Sequence, residues 1–481
     1  MLRSIDTPLA TARDFEAKGD FPAAVRILAE LLNAHPGDRE VLLALSRLST
    51  KLGARDDALT LFDLAMASAA ADAGSQLDRA ALLEQAGRRD DALASLRALA
   101  GPDDPAPQLR LGYVYRRGLD YEAARRNDLA LAAAHPAFAA GWISLGIDFH
   151  TTGDLAAADA CFRRALAVEP GNPFAHFSRG TSLLAAGLWR QGFAEFAWRR
   201  KFPDAVPAPG FLPEWRGGRS VLLWNDQGLG DAIQFLRFVP QVRARGVETV
   251  LLLPDSLVRL ACSVPKIGPV LSPGEALPSV DGHLPLMDVP DRFGLEEISA
   301  GTPYVRPDSE AVEAWRRRFA PLGGLKVGLV RAGASRAADF QMSGLDHRRS
   351  IPAADLAPLL AVAGASFFNL QPEASWEGIP ESLRPVDAMT EIADFAGTAA
   401  LMEALDLVIT VDTAVAHLAG ALGKPVWILS RYDGCWRWLK DRTDSPWYPT
   451  VRLFRQAVPG DWGPVIGAVA AALGGEVGAR L

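Results

Sequence analysis

A glycine-led motif returns at a fixed interval along the first part of the chain, and it constrains the fold more than any other feature. It reads GDFPAA at Gly19, GARDDA at Gly53, GRRDDA at Gly87, GLDYEAA at Gly118, GDLAAA at Gly153 and GLWRQG at Gly187. Most intervals are 34 residues, with one shortened step before Gly118. A period of this length is that of a helix pair: glycine makes the turn, and small residues let the two helices approach closely. The unit around Trp142 carries the pattern best, with Leu145, Gly146 and Phe149 on one helix, Ala158, Phe162 and Ala165 on the next, and Pro170 closing it. One such pair cannot bury its own apolar face, so the pairs must stack into a solenoid.

The chain is long enough for more than that array. Its 481 residues, 49% of them hydrophobic, allow two or three domains. A net charge of −7 leaves no basic footprint, which argues against a nucleic-acid partner. Cys161, Cys262 and Cys435 are far apart and odd in number, so neither a disulfide framework nor a metal knuckle is expected. The opening MLRSIDTPLATARDFEAKGD lacks the basic start and apolar run of a secretion signal, and no apolar stretch of about 20 residues could span a bilayer. A cytoplasmic protein without a transmembrane segment is the expectation.

The repeats resemble tetratricopeptide repeats, five to six of them over about residues 8 to 200. Their concave face suits an extended peptide, but a spacer or a dimerisation arm fits the same pattern. The last, imperfect repeat carries Trp189, Phe193, Phe196 and Trp198, followed by Arg199, Arg200 and Lys201. Those aromatics either form a contact surface or are buried where the solenoid meets the next domain. Residues 202 to 219 hold four prolines and three glycines and read as a linker.

Beyond the linker the pattern changes to strand, turn and helix. Val221 to Trp224 reads as a strand entering NDQGLGDAIQFLRFVPQVRARG, where Gly228 and Gly230 permit a tight turn and Ala232 to Arg245 has helical spacing. The lysine of a P-loop and the third glycine of a dinucleotide fingerprint are missing, which disfavours an ATPase or a dehydrogenase. Further on, LVITVDTAVAHLAGALGKPVWIL reads as a βαβ unit: strand Leu407 to Val411, turn Asp412-Thr413, helix Ala414 to Leu422, and strand Val426 to Leu429. A helix starting beyond a parallel strand aims free N–H groups into a crevice where phosphates bind. Small residues at Thr413 and Ala414 would admit a diphosphate. Alternatively, Asp412 or Thr413 only caps the helix and His417 is a satisfied core histidine.

DTAVAHLAGALGKP resembles the sugar-nucleotide half-site of heptosyltransferase-like glycosyltransferases of the GT-B fold, and GLGDAIQFLRFVP resembles the first strand-turn-helix of the same enzymes. The resemblance implies an α plus α/β chain: a tetratricopeptide solenoid over 1–201, a linker over 202–219, and two Rossmann-like halves over 220–320 and 321–481. It implies transfer of a sugar from a nucleotide-sugar donor to an acceptor hydroxyl, with inversion and without a metal or other cofactor. No Asp-x-Asp triplet occurs in the sequence, in agreement with that. The layout is similar to the O-linked N-acetylglucosamine transferases, whose repeats hold a protein acceptor. Flagellin, another bacterial surface protein or a lipopolysaccharide intermediate are the acceptors this likeness suggests.

By the same resemblance Asp231 stands where a carboxylate could take the acceptor proton, although it also fits a helix cap, and His417 is a second catalytic candidate. Gly228, Gly230, Asp412, Thr413 and Ala414 fall to the donor. In DHRRSIP, Arg349 and Ser350 are expected at the start of a helix from Pro352, where they would meet phosphate or simply form a solvated basic loop. Gln227, His347, Trp436, Trp447 and Tyr448 are candidate sugar or acceptor contacts, since aromatic faces stack on sugars, while packing is the commoner fate of tryptophan. Two departures count against activity. Arg331 stands where such relatives usually have tryptophan, placing a positive charge beside the presumed phosphate site, where it would bind the donor or merely alter the pocket, and Pro372 replaces a lysine after Gln371. A non-catalytic adaptor with a degenerate glycosyltransferase domain is the competing reading.

Overall fold

The structure is a computed structural model that describes residues 5–67, 72–210, 212–295, 298, 302–333, 340–372 and 374–479, the side chains of 340–343 excepted. The chain divides into two compact units, Met1–Asp148 with Ser335–Asp346, and Phe149–Ala334 with His347–Leu481.

In the first unit the repeat becomes consecutive helix pairs, from Asp6–Ala17 and Phe21–Ala34 to Ala106–Arg117 and Tyr121–Ala134. Asp20, Asp38 and Asp120 cap the helices that follow them, their carboxylates accepting from Ala23, Glu40 and Ala123 N–H. Gly19, Gly53 and Gly87 adopt φ of 77°, 81° and 78°, as the turn demands. In the fourth pair the left-handed residue is Leu119, at φ 62°, and not Gly118. The marker glycine is therefore one residue out of register there, so the true step from Gly87 is a residue longer than the motif suggested. A Cβ on Gly118 would lie 2.1 Å from the Arg89 guanidinium, so a larger residue there would displace that side chain.

Arg116 lies between two carboxylates in this unit. It donates to Asp128 at 2.5 Å and Asp148 at 2.8 Å, and also to Ser144 Oγ at 2.7 Å. Asp128 and Asp148 are fully buried. Asp128 gains a hydroxyl from Ser144 and an amide from Asn127.

The second unit contains helices Leu155–Val168, Pro173–Ala185 and Trp189–Phe196 and two parallel sheets. The first sheet has β1 (Ser220–Trp224), β2 (Glu248–Leu252), β3 (Val270–Leu271) and β4 (His283–Pro285) in the order β3-β2-β1-β4. The second has β5 (Leu325–Val330), β6 (Ala365–Asn369), β7 (Val386–Asp387), β8 (Leu407–Val411), β9 (Val426–Ser430) and β10 (Val451–Arg455) in the order β10-β9-β8-β5-β6-β7. Buried on both faces, β8 and β9 read as continuous apolar runs. One core joins Leu184, Phe193 and Phe196 of the last repeat to Val221 and Phe235 of the first sheet's layer and to Val415 and Trp447 of the second's. Val327, Leu329, Trp427 and Val469 form a separate core on the far face of the second sheet. Of the two readings of the last repeat's aromatics, burial holds for Phe193 and Phe196.

The helix expected over Ala232 to Arg245 is broken into Leu229–Phe235, a 3-10 turn at Leu236–Phe238, and Val239–Ala244, with Pro240 in the first turn of the last piece. Arg349 closes the helix Phe340–Arg349, whereas the sequence placed it at the start of the next one. After Pro352 there is only a 3-10 turn, Ala353–Leu356, and one helical turn, Ala357–Leu360.

Candidate functional site

Open parallel sheets take ligands where the strand order reverses, beyond the carboxyl ends of the strands. In the second sheet the reversal lies between β5 and β8, because β6 and β7 extend one way and β9 and β10 the other. Arg331 follows β5, and Asp412 and Thr413 follow β8. Thr413 is the extended N-cap residue of helix Ala414–Leu422, with no side-chain cap bond. Its Oγ1 instead lies 3.2 Å from Thr410 Oγ1. Asp412, Thr413 and Ala414 are half-buried, so a ligand can reach this helix start.

Arginines surround it. Arg349 donates to the Asp412 carbonyl at 3.1 Å. Its guanidinium lies against Gly333, where a Cβ would come within 2.2 Å and would push the arginine aside. Arg431 is paired with Asp433 at 2.9 Å and lies 3.8 Å from the Asp412 carboxylate, and Arg348 holds the other Asp433 oxygen at 3.1 Å. Arg331 is placed beside the site but turned to structural use: it donates to the carbonyls of Ile351 (3.1 Å) and Ser375 (2.7 Å) and lies 5.7 Å over Trp376. The charge expected to face a phosphate there ties two loops together. Gln371 acts similarly, its side chain accepting from Ala332 N–H at 3.1 Å. Ser350 is half-buried beside Arg349, and His347 is exposed.

The first sheet brings its own helix start to the same place. Helix Leu229–Phe235 packs on helix Ala414–Leu422 with almost no gap: a Cβ on Gly230 would lie 2.9 Å from His417 Cδ2 and 3.1 Å from Ala414 Cα. Asp231, the next residue, has a side chain 23% exposed. One carboxylate oxygen accepts from Gly228 N–H at 2.8 Å, which is the capping role. The other meets Arg437 at 2.5 Å. Arg437 also donates to Gln234 Oε1 at 2.6 Å and lies 4.2 Å over Trp436. Burial works against its charge and Asp231 outweighs that, so the guanidinium stays charged. Gln227 is exposed just ahead of this turn.

Several expected contacts belong to the core instead. Trp447 and Tyr448 are fully buried and Trp436 is 7% exposed, so the sugar or acceptor contacts expected from them give way to packing. Trp447 and Tyr448, with Tyr304, surround Arg237, which donates to the carbonyls of Ile298 and Trp447 and lies 4.5 Å over Tyr448. His417 is the satisfied core histidine of the two readings, with Nδ1 3.1 Å from the Tyr448 hydroxyl and its ring stacked on Trp438. Burial, then the positive charges of Arg437 and Arg237, hold its pKa well below the ordinary imidazole value, so it is neutral. A direct catalytic part for His417 does not fit that placement. Sequence reasoning missed Arg431, Asp433 and Arg437. The signal was the chain itself, since Arg431 follows β9 as Asp412 follows β8, at the sheet edge where ligands bind.

Two family patterns match the chain: a tetratricopeptide repeat over residues 16–80, and Glycosyltransferase family 9 (heptosyltransferase) over residues 374–429. The latter takes in Asp412, Thr413 and the whole Ala414 helix. Protein FlbA of Caulobacter vibrioides is 28% identical over 523 aligned positions, which cover 97% of this chain and 83% of that protein. Among solved structures, the type IV pilus biogenesis factor PilW is 17% identical over 42% of this chain and 94% of its own, with a TM-score of 0.32. A thermophilic tetratricopeptide protein of Thermus thermophilus is 22% identical over 38% of this chain and 100% of its own, with a TM-score of 0.29. The chain thus combines tetratricopeptide repeats with a glycosyltransferase-like region built on parallel sheets. Among the described residues no helix is long and apolar enough to cross a membrane.

Proposed function

We propose that the protein is an inverting GT-B glycosyltransferase that moves a sugar from a nucleotide donor to an acceptor hydroxyl, on a protein presented by the repeats. One observation carries this reading. Two helix starts, each beyond the carboxyl end of a parallel strand, meet at Gly230 and Ala414 with Asp231 on one and Thr413 on the other. In this reading the diphosphate lies against Thr413 and the first amides of the Ala414 helix, with Arg349 beside it. The acceptor oxygen attacks the anomeric carbon as the bond to the diphosphate breaks, and its proton passes to Asp231. The helix dipole and the arginines balance the charge that develops on the leaving group, so no metal is called for.

Arg437 has a place in this scheme. It fixes the rotamer of Asp231, leaving the carboxylate's remaining lone pairs for the acceptor. The adaptor alternative loses one of its supports, because Arg331 is a strut between loops and not an obstacle in the cleft. The test is titration of the full chain with nucleotides and nucleotide sugars, followed by intact-mass measurement of a candidate acceptor with the donor that binds. Binding with transfer supports the proposal. Absence of binding and of donor hydrolysis across the panel would leave the adaptor.

A further inference from the structure

A cavity of about 490 Å³ opens at the other switch point of the second unit, beyond the carboxyl ends of β1 and β4. That volume falls within the roughly 300–1,000 Å³ of small-molecule sites. Trp224, Asp226 and Gln227 line it from β1, His283 and Pro285 from β4, and Arg199 and Phe202 from the end of the last repeat. Asp226 is 6% exposed. Its Oδ2 accepts from Arg199 Nε at 2.8 Å and lies 2.6 Å from Nη2 of the same ion pair, while Oδ1 has no hydrogen-bond partner among the described residues.

We propose that this cavity is a carbohydrate pocket, distinct from the donor cleft, for a neutral monosaccharide or a terminal sugar unit. The charges on its wall select against an ionic ligand: Arg199 and Arg200 balance Asp204 and Asp226, and Arg199 also holds Asp288 at 2.6 Å. Its other surface is aromatic, with Phe177 and Phe202 half-buried and Trp224 directed by a bond from Nε1 to His283 Nδ1 at 3.2 Å. That bond leaves the ring proton of His283 on Nε2, a donor for a sugar oxygen. A ring with one C–H face and several hydroxyls satisfies both surfaces. A peptide strand does not, because the outer edge of β4 is already taken: Trp215 N–H donates to His283 O and His283 N–H to Pro213 O.

Sugar binding is read without any donor, so this inference stands or falls apart from the transferase reading. Saturation-transfer NMR on the full chain, with a panel of neutral hexoses and 2-acetamido-hexoses at millimolar concentration, is the experiment. At least one sugar is expected to receive saturation, undiminished by uridine diphosphate. Ala208→Trp, at an exposed position on the cavity wall, should fill the mouth and weaken that sugar at least about tenfold while the melting temperature holds. Asp226→Asn would disturb the Arg199 pair, so Ala208→Trp is decisive. No saturation of any sugar, binding unaffected by Ala208→Trp, or a hydroxyl-bearing peptide probe that binds in place of every sugar would each overturn the proposal.

Discussion

Each unit buries an arginine between two aspartates, and the two arrangements end differently. In the first, Arg116 joins Asp128 and Asp148, and Ser144 and Asn127 complete the shell of Asp128. In the second, Arg199 joins Asp226 and Asp288, and Asp226 lines a cavity. The charge pattern is the same, so burying an Arg–Asp cluster does not itself make a site. What separates a strut from a site is what lies beside the cluster: Asp128 and Asp148 are fully buried among packed helices, whereas Asp226 lines a cavity beyond the end of a strand. The Asp231–Arg437 pair is intermediate: it is cross-linked like a strut, yet open enough to meet a substrate.

The largest expected effect tests the strut. Arg116→Met leaves the buried Asp128–Asp148 pair without its cation and should destabilise the first unit by about 3–5 kcal/mol. Urea unfolding of the full chain, followed by hydrogen exchange in helix Ala106–Arg117, measures it. A cost below about 1 kcal/mol would mean that the cluster is not the strut described and would collapse the comparison.

The next effect is catalytic. Asp231→Asn should lower transfer at least about a hundredfold, the usual worth of a general base, and should also leave Arg437 without its anion. Arg437→Met in the same chain removes that orphaned charge. The double variant is therefore expected to melt near the parent temperature while transfer remains as low as in Asp231→Asn. Recovery of transfer along with stability would make Asp231 a strut like Asp128.

This contrast explains what could be read from the sequence. Period and apolar runs set the solenoid and the strands: Leu407–Val411 and Ala414–Leu422 lie where the pattern placed them, because fully buried parallel strands and a glycine stop at Gly423 leave a strong local signature. Leu119 shows the limit, since a left-handed leucine beside a glycine has no local mark. The site was legible in its helix starts, which are local, and illegible in its charge partners. Arg437 lies more than two hundred residues from Asp231, and an aromatic-rich segment gave no hint that its arginine would pair across the unit. Trp447 and Tyr448 misled for the related reason that the same residue types serve sugar stacking and cores.

A pH prediction separates the two units without a substrate. Burial pushes the Asp148 carboxyl up to about 8; Arg116 opposes the shift and Asp128 adds to it. The folded state then holds a proton that the unfolded chain releases near the ordinary carboxylate value, so the contribution to stability is full in acid and is lost as pH rises toward 8. Melting of the first unit is expected to fall by at least about 2–4 °C from pH 5.5 to pH 8.5, the size of a 1 kcal/mol change. Asp148→Asn should flatten that slope, with helix Ala139–Thr152 followed by hydrogen exchange corrected for intrinsic rates. A slope unchanged in Asp148→Asn would assign the pH dependence elsewhere.

The smallest effect is at the donor side, and it asks whether an open helix start behaves as a site at all. Thr413→Val keeps the shape of the N-cap residue and gives up a hydroxyl whose neighbour, Thr410 Oγ1, has its own bond to the Val411 carbonyl at 2.7 Å. No side-chain cap is lost, so the fold should be untouched. If a diphosphate accepts from this hydroxyl, the change weakens a nucleotide diphosphate by about 1–2 kcal/mol, the worth of a hydrogen bond to a charged group. Calorimetry on the full chain, with uridine, guanosine and cytidine diphosphates, measures the difference for whichever nucleotide binds. Unchanged affinity would take Thr413 out of the site and leave the amides of the Ala414 helix and Arg349 as the ligands, which Arg349→Met would then have to abolish.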